Sequence, residues 1–223
     1  GLTFPTALIY ILVAGGELFT SNVMYTTIGL LTRKVNPWKS IGVCISAFIS
    51  NYLGCVLVAG FTVNLAGFLT NEPIKTYLLN TVHHKVVEPT FGMLLLKAIP
   101  ANFLVNVGVI MASAAEDIWG KTVGGYLPIL TFAAIGMEHC IADDFYIHAA
   151  AMISDDFAYG TWLWKTLISV TLGNIIGGMF VATCYWYAYM AETQLGHDHW
   201  LLSFRCWCCA RNRKAIADED EGL

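Results

Sequence analysis

The sequence predicts an all-helical integral membrane bundle in which two of the membrane spans are broken part-way across. Of 223 residues, 57% are apolar and only 13% charged, about half the charged share of a soluble domain. The charges fall outside long uncharged runs at 40–71, 98–115, 122–137 and 166–191, each near or above the roughly 20 residues that cross the hydrocarbon layer as a helix. The breaks are announced by Gly15-Gly16-Glu17-Leu18-Phe19-Thr20 and Gly136-Met137-Glu138-His139-Cys140-Ile141. Each sets a carboxylate and a glycine inside an apolar segment, where ionisable groups are costly and mark a pathway.

Taken in order, five spans are expected. The first, 2–32, is too long for one plain helix and is read as two half-helices about Gly15-Gly16, acceptable at membrane depth only where the irregular stretch lines a cavity. A short basic turn, 33–39, leads to the second span, 38–61. A longer polar connection, 64–88, carries His83, His84 and Lys85, and the third span covers 91–113. After a turn with Glu116, Asp117 and Lys121 comes the fourth, 125–153, over-long and broken at 136–145. The acidic turn Ser154-Asp155-Asp156 precedes the fifth, 162–190. Residues 1–190 thus form a transmembrane transport domain, and 191–223 a polar cytoplasmic tail.

Basic residues flank the membrane at 33–39 and in the tail (Arg205, Arg211, Arg213, Lys214), which by the positive-inside rule makes both cytoplasmic. Four crossings separate them, so the two ends agree. The net charge of −4 comes partly from Asp218-Glu219-Asp220-Glu221 and does not identify a partner. Of seven cysteines, Cys44, Cys55, Cys140 and Cys184 lie in spans, where cysteine is mostly a small packing residue, and no spacing suggests a disulfide framework.

An internal repeat is legible. Gly-x-Glu at 15–17 recurs at 136–138, Trp38-Lys39-Ser40 as Trp164-Lys165-Thr166, and Asn51-Tyr52-Leu53-Gly54 as Asn174-Ile175-Ile176-Gly177. The separations from glutamate to asparagine are 34 and 36 residues. The halves start on opposite sides of the membrane, so the repeat is inverted, as in many transporters. The second half has three spans and the first two, which implies a further span upstream of Gly1 in the full-length protein.

These residues resemble the formate/nitrite transporter family. Leu12-Val13-Ala14-Gly15-Gly16-Glu17-Leu18-Phe19-Thr20-Ser21 looks like its first signature. Ala98-Ile99-Pro100-Ala101-Asn102-Phe103-Leu104-Val105 is similar to the second, departing at Asn106 and Gly108, where the family usually has cysteine and alanine. Gly136-Met137-Glu138-His139 with Ala142 is similar to the motif around the family's central histidine, with Asp143 in place of an asparagine. Val170-Thr171-Leu172-Gly173-Asn174-Ile175-Ile176-Gly177-Gly178 looks like the last-span motif, with Ser169 for the usual proline. Lys85-Val86-Val87-Glu88-Pro89 is similar to the eukaryotic branch. The resemblance implies an aquaporin-like helical fold of six spans with one pore per subunit, a homopentamer in the lipid bilayer, most simply the plasma membrane, with both termini cytoplasmic. It further implies passage of small monocarboxylates or monovalent anions (formate, acetate, lactate, nitrite), with protons as partners, and no enzymatic activity, cofactor, metal or nucleic acid.

It also implies the site. His139 would contact the permeating anion or relay its proton, work suited to an imidazole titrating near neutrality; the rival account is a satisfied core histidine. Thr20 belongs to the loop that faces it, or is a local helix cap. Asn174 bonds in the same region, or is glue between helices. Leu18, Phe19 and Asn102 complete the substrate pathway. Phe4, Leu8 and Phe132 match apolar constrictions above and below the histidine, which reject hydrated anions and favour a neutral acid; by periodicity alone they are ordinary core or lipid-facing residues. Lys85 matches a vestibule lysine that concentrates anions, or is a solvated loop lysine. Glu17 and Glu138 are expected to cap backbone N–H groups of the broken helices. Asp143, beside Asp144, is an extra acid that repels anions or serves a proton path.

Cys206, Cys208 and Cys209 sit just past the last span, a position that suits reversible palmitoylation, and His197-Asp198-His199 holds too few ligands for a closed zinc site. Three rivals are carried forward. An aquaporin-like neutral-solute channel would need paired Asn-Pro-Ala motifs, and none occurs. A membrane hydrolase using His139 with Asp143 or Asp144 lacks a recognisable nucleophile. A structural scaffold does not explain two broken spans with carboxylates.

Overall fold

The structure, a computed structural model, describes residues 2–154 and 159–195. Among these, all regular elements are helical: α1 (Pro5–Ala14), α2 (Phe19–Leu31), α3 (Pro37–Gly60, continued by a wider turn, Phe61–Leu65), α4 (Ile74–Val82, continued by a wider turn, His83–Val87), α5 (Phe91–Ala114), α6 (Ile118–Ile135), α7 (Cys140–Ala151), α8 (Tyr159–Thr161, running into a wider turn, Trp162–Leu167), α9 (Ile168–Tyr189) and α10 (Ala191–Leu195). Three runs, Pro37–Leu65, Phe91–Ala114 and Trp164–Tyr189, are long and apolar enough to cross a membrane. The pairs α1/α2 and α6/α7 are each bent by 51° and bring the number of spans to five when each pair counts as one. Two crossings lie between the bent pairs, so they run in opposite directions. The bundle is an integral membrane fold with an inverted repeat.

Helix starts follow local chemistry. Asn36 accepts the N–H groups of Trp38 and Lys39 and is followed by Pro37, the usual cap-then-proline entry. Asp117 does the same for Trp119 and Gly120. That cap starts the fourth span at Ile118, seven residues before the 125 read from hydropathy, and makes Lys121 part of its first turn. The fifth run begins at Trp164, close to the expected 162.

The 64–88 connection differs more from expectation. It folds into α4 and its following turn, whose Leu78, Val82 and Val86 join Ile147 and Trp162 in a buried cluster. Polar residues outnumber apolar ones in it, which hid a one-sided amphipathic helix. At the centre, α5 packs on α9 almost backbone to backbone: a Cβ at Gly173 would sit 2.5 Å from the Leu95 carbonyl oxygen, and one at Gly177 would collide with that of Ile99. Small residues at such a seam let membrane helices approach closely. The outer face of α3 shows Ile41, Ile45, Ile49, Leu53 and Leu57, a surface only lipid or another protein can cover.

Past the last span, Gln194 of α10 donates to the Thr32 carbonyl at 2.9 Å and accepts from the Trp186 indole at 2.7 Å. The chain therefore leaves α9 at the same end of the bundle as the 33–39 turn, in agreement with the charge placement. Asp155 and Asp156, the His197-Asp198-His199 stretch and Cys206, Cys208 and Cys209 lie outside the described residues. The cysteines Cys44, Cys55, Cys140 and Cys184 are free thiols.

Candidate functional site

Both breaks are made in the same way. α1 ends at Gly15 with φ 74° and α6 at Gly136 with φ 73°, the left-handed conformation that glycine adopts without a Cβ penalty. Gly16 N–H then bonds the Ile11 carbonyl, and Met137 N–H that of Phe132. The chain runs extended through Leu18 and His139, and α2 and α7 begin on the next residues. An asparagine from a neighbouring helix closes each gap. Asn51 accepts from Phe19 N–H at 2.9 Å and donates to the Glu17 carbonyl at 3.0 Å. Asn174 accepts from Cys140 N–H at 2.9 Å and donates to the Glu138 carbonyl at 3.1 Å and the Ala98 carbonyl at 2.8 Å. Backbone groups at membrane depth have no water to bond, and these two amides replace it.

The capping assigned to Glu17 and Glu138 is thus performed by Asn51 and Asn174. Glu17 instead accepts from the Asn22 amide at 2.6 Å, and Glu138 binds Lys85. Asn51 stands in the repeat as the counterpart of Asn174, but nothing in its local sequence marks it as a cap.

The breaks bring Thr20 and His139 together: Thr20 Oγ1 lies 3.0 Å from His139 Nε2, 119 residues apart in sequence. His139 Nδ1 accepts from Ala142 N–H at 3.2 Å, so in the neutral ring the proton sits on Nε2 and is donated to Thr20 Oγ1. The hydroxyl proton of Thr20 is then free to point elsewhere. Behind it, Asn102 donates to the Thr20 and Asn174 carbonyls, and Asn106 donates to Asn102 and the Thr20 carbonyl. Asn102, Asn106 and Asn174 are fully buried. They hold the α2, α5 and α9 backbones in place and do not line the cavity.

His139 opens on an apolar cavity of about 340 Å³ lined by Phe4, Leu8, Leu18, Phe132 and Tyr146 among others. A second chamber of about 260 Å³ is lined by Tyr77, Thr81, Lys85, Asp143 and Tyr146 and shares Phe4 and Phe132 with the first. The rings of Phe4 and Phe132 meet edge to face with centroids 5.5 Å apart, and Phe132 lies 5.8 Å from the His139 ring. These two phenylalanines are the wall between a polar chamber and the histidine chamber. Phe19, expected on the pathway, turns away: it packs on Phe48 at 5.0 Å and lines a groove between α2, α3 and α9.

Lys85 is neither a loop lysine in solvent nor an open vestibule cation. Its side chain is 13% exposed, and its Nζ lies 2.7 Å from Glu138 Oε2 and 2.8 Å from Asp143 Oδ1. Burial pulls its pKa down, but Asp143 and Glu138 outweigh that and hold it above the usual lysine range. The other oxygen of Asp143 accepts the His139 backbone N–H at 3.0 Å. Behind it lies His148, which no motif marks: it bonds the Asp144 carbonyl at 2.7 Å, approaches its carboxylate at 3.4 Å and meets Tyr52 Oη at 3.2 Å.

An apolar cavity inside a membrane bundle, with a polar chamber beside it and a hydrogen-bonded imidazole on its wall, suits a channel or transporter. The formate/nitrite transporter family model matches residues 1–187, and the chain belongs to that family, a family of transport proteins and not of enzymes. It is 34% identical over 206 residues to a probable formate transporter of Methanothermobacter thermautotrophicus, covering 86% of this chain and 75% of that one. It is 30% identical to a formate channel of Bacillus thuringiensis, covering 86% of this chain and 73% of the relative. The formate-nitrite transporter 3 of Toxoplasma gondii is 34% identical over 82% of this chain and 37% of its own. Among solved structures, an FNT family ion channel superposes with a TM-score of 0.77 at 27% identity over 84% of this chain and 75% of that one. A pentameric formate channel with formate bound gives 0.72 at 26%, over 85% and 81%.

Proposed function

We propose that this protein passes formate and related small monocarboxylates or monovalent anions (acetate, lactate, nitrite) across the plasma membrane together with a proton, through one pore in each subunit of a homopentamer. The 33–39 turn and the chain's C-terminal end would lie in the cytoplasm. The observation that carries the reading is the His139–Thr20 contact at the end of an apolar cavity closed by Phe4 and Phe132. An ionised carboxylate entering such a cavity loses its hydration without a fixed cation in return, at a cost of several kcal/mol. The neutral acid avoids that cost, and the polar atoms it needs, an imidazole and a hydroxyl, are at hand.

In this reading the acid forms at the vestibule, slips past Phe4 and Phe132 with Leu8 on the cavity wall, and meets Thr20 and His139. The hydroxyl of Thr20 donates to the carboxyl oxygen while the Nε2–H of His139 orients the hydroxyl. Proton release follows on the far side. Lipid surrounds the α3 face or a neighbouring subunit covers it.

The test is uptake of labelled formate and lactate by proteoliposomes holding the full-length protein, with and without an inward proton gradient. Stimulation by the gradient supports coupled passage. Gradient-independent uptake favours a channel for the anion, and free passage of water or glycerol without either acid overturns the reading. A His139→Ala protein whose uptake keeps the same pH dependence removes the histidine from the mechanism.

A further inference from the structure

The polar chamber contains a charge imbalance. Lys85 is the single cation among its described lining residues, and two carboxylates are bonded to it at 2.7 and 2.8 Å. Both are withdrawn from water, Glu138 with its side chain 2% exposed and Asp143 with 5%. When both are ionised, the three groups together carry one negative charge, in surroundings where an unpaired charge is expensive and repels an approaching anion.

The neighbours do not correct the imbalance. α4 presents Tyr77 and Thr81, α7 presents Tyr146, α6 presents Phe132 and Ala133, and Thr3 and Phe4 line it from just ahead of α1, none of them charged. Asp144 adds a further acid on α7, with His148 beside it. His139 gives Asp143 only its backbone N–H. His83, His84 and Glu88, on the same turn as Lys85, pair with one another in solvent, and Lys165 donates to the Val87 carbonyl.

We propose that Asp143 makes anion entry proton-first: Lys85 is withheld from an incoming carboxylate until the Glu138–Asp143 pair has taken up a proton. The proton comes from water on the chamber side and stays on the pair as a carboxylic acid O–H. One carboxylate then balances Lys85, the site is neutral, and the ammonium can share its hydrogens with the arriving anion. No other bond is made or broken. Asp143 acts through Lys85 and is a positioning and selectivity residue. The proposal rests on the reading that a small anion enters through this chamber.

The Asp143→Asn substitution tests it, because the amide oxygen can still accept the His139 N–H while the extra charge is removed. Formate uptake by the full-length protein in proteoliposomes is measured from acid to neutral external pH. At acid pH the two proteins should have the same KM, which also establishes that the variant folds. At neutral pH the variant's KM should be lower by roughly tenfold or more, because the Asp143 charge would lie within about 6 Å of an anion held on Lys85, at an effective dielectric constant of about 20. A KM ratio that does not change with pH overturns the proposal. A second readout is independent of transport: infrared difference spectra of purified protein between neutral and acid pH should show a protonated-carboxyl band that the variant loses or weakens. Identical bands overturn the proposal. If the wild type takes up no formate at any pH but the bands differ as expected, the proton-holding pair stands and the transport reading falls.

Discussion

Asn51 closes the gap between α1 and α2, and Asn174 closes that between α6 and α7, with the same two hydrogen bonds to the residues on either side of the break. The glycines that end α1 and α6 differ in φ by a single degree. The glutamates within the breaks share a position and little else. Glu17 is exposed and bonded to a neutral amide. Glu138 is 2% exposed and bonded to a lysine that also holds Asp143. A duplicated backbone device has therefore been kept in both halves, while charge has been gathered at one. The first break supplies geometry, a hydroxyl and an apolar wall; the second supplies an imidazole and two carboxylates bonded to one lysine.

Six substitutions sharpen this comparison, from the largest expected effect to the smallest. Lys85→Met leaves two carboxylates buried without a cation and should cost about 3–5 kcal/mol. It should be read as a lowered melting temperature of the detergent-purified protein, and adding Glu138→Gln and Asp143→Asn should restore most of it. A Lys85→Met protein as stable as the wild type would mean the three groups are not coupled. Asn174→Ala strips buried partners from Cys140 N–H and the Glu138 and Ala98 carbonyls, at about 3 kcal/mol. Asn51→Ala, at a half-buried position, should cost about half as much, and a larger loss there than at Asn174 would reverse the ranking of the two breaks. Thr20→Val keeps the shape of the side chain and removes the hydroxyl. Formate uptake should fall roughly tenfold, about one hydrogen bond's worth, with the melting temperature little changed. Glu17→Gln should leave stability and the pH profile of uptake within error, whereas Glu138→Gln should shift that profile. If both behave alike, the asymmetry of charge has no consequence.

Much of the fold was legible before any coordinates. The two breaks, five spans and the inverted repeat follow from glycine and glutamate inside apolar runs and from the recurrence of Asn51-Tyr52-Leu53-Gly54 as Asn174-Ile175-Ile176-Gly177. The site was legible in its cast and not in its assignments. Thr20 and His139 do meet, and Phe4, Leu8 and Phe132 do line one cavity. Phe19 faces the other way, because an extended residue at Leu18 precedes the helix and the next side chain falls on the opposite side. α4 was missed because Leu78, Val82 and, on the turn beyond it, Val86 form one stripe at helical spacing, while polar and charged residues are scattered through the rest of the 64–88 connection.

The sequence by itself determined that this chain spans a membrane in two inverted halves with a break in each, because burial in hydrocarbon punishes every charged or unpaired group and leaves those patterns in the residue order. Only the tertiary structure decided which groups share a charge. Lys85 and Glu138 stand 53 residues apart, and no local pattern encodes that an ammonium on a turn beyond α4 will be enclosed by two carboxylates from the second break. Electrostatic energy depends on distances of a few ångströms, and those distances exist only once the helices have packed.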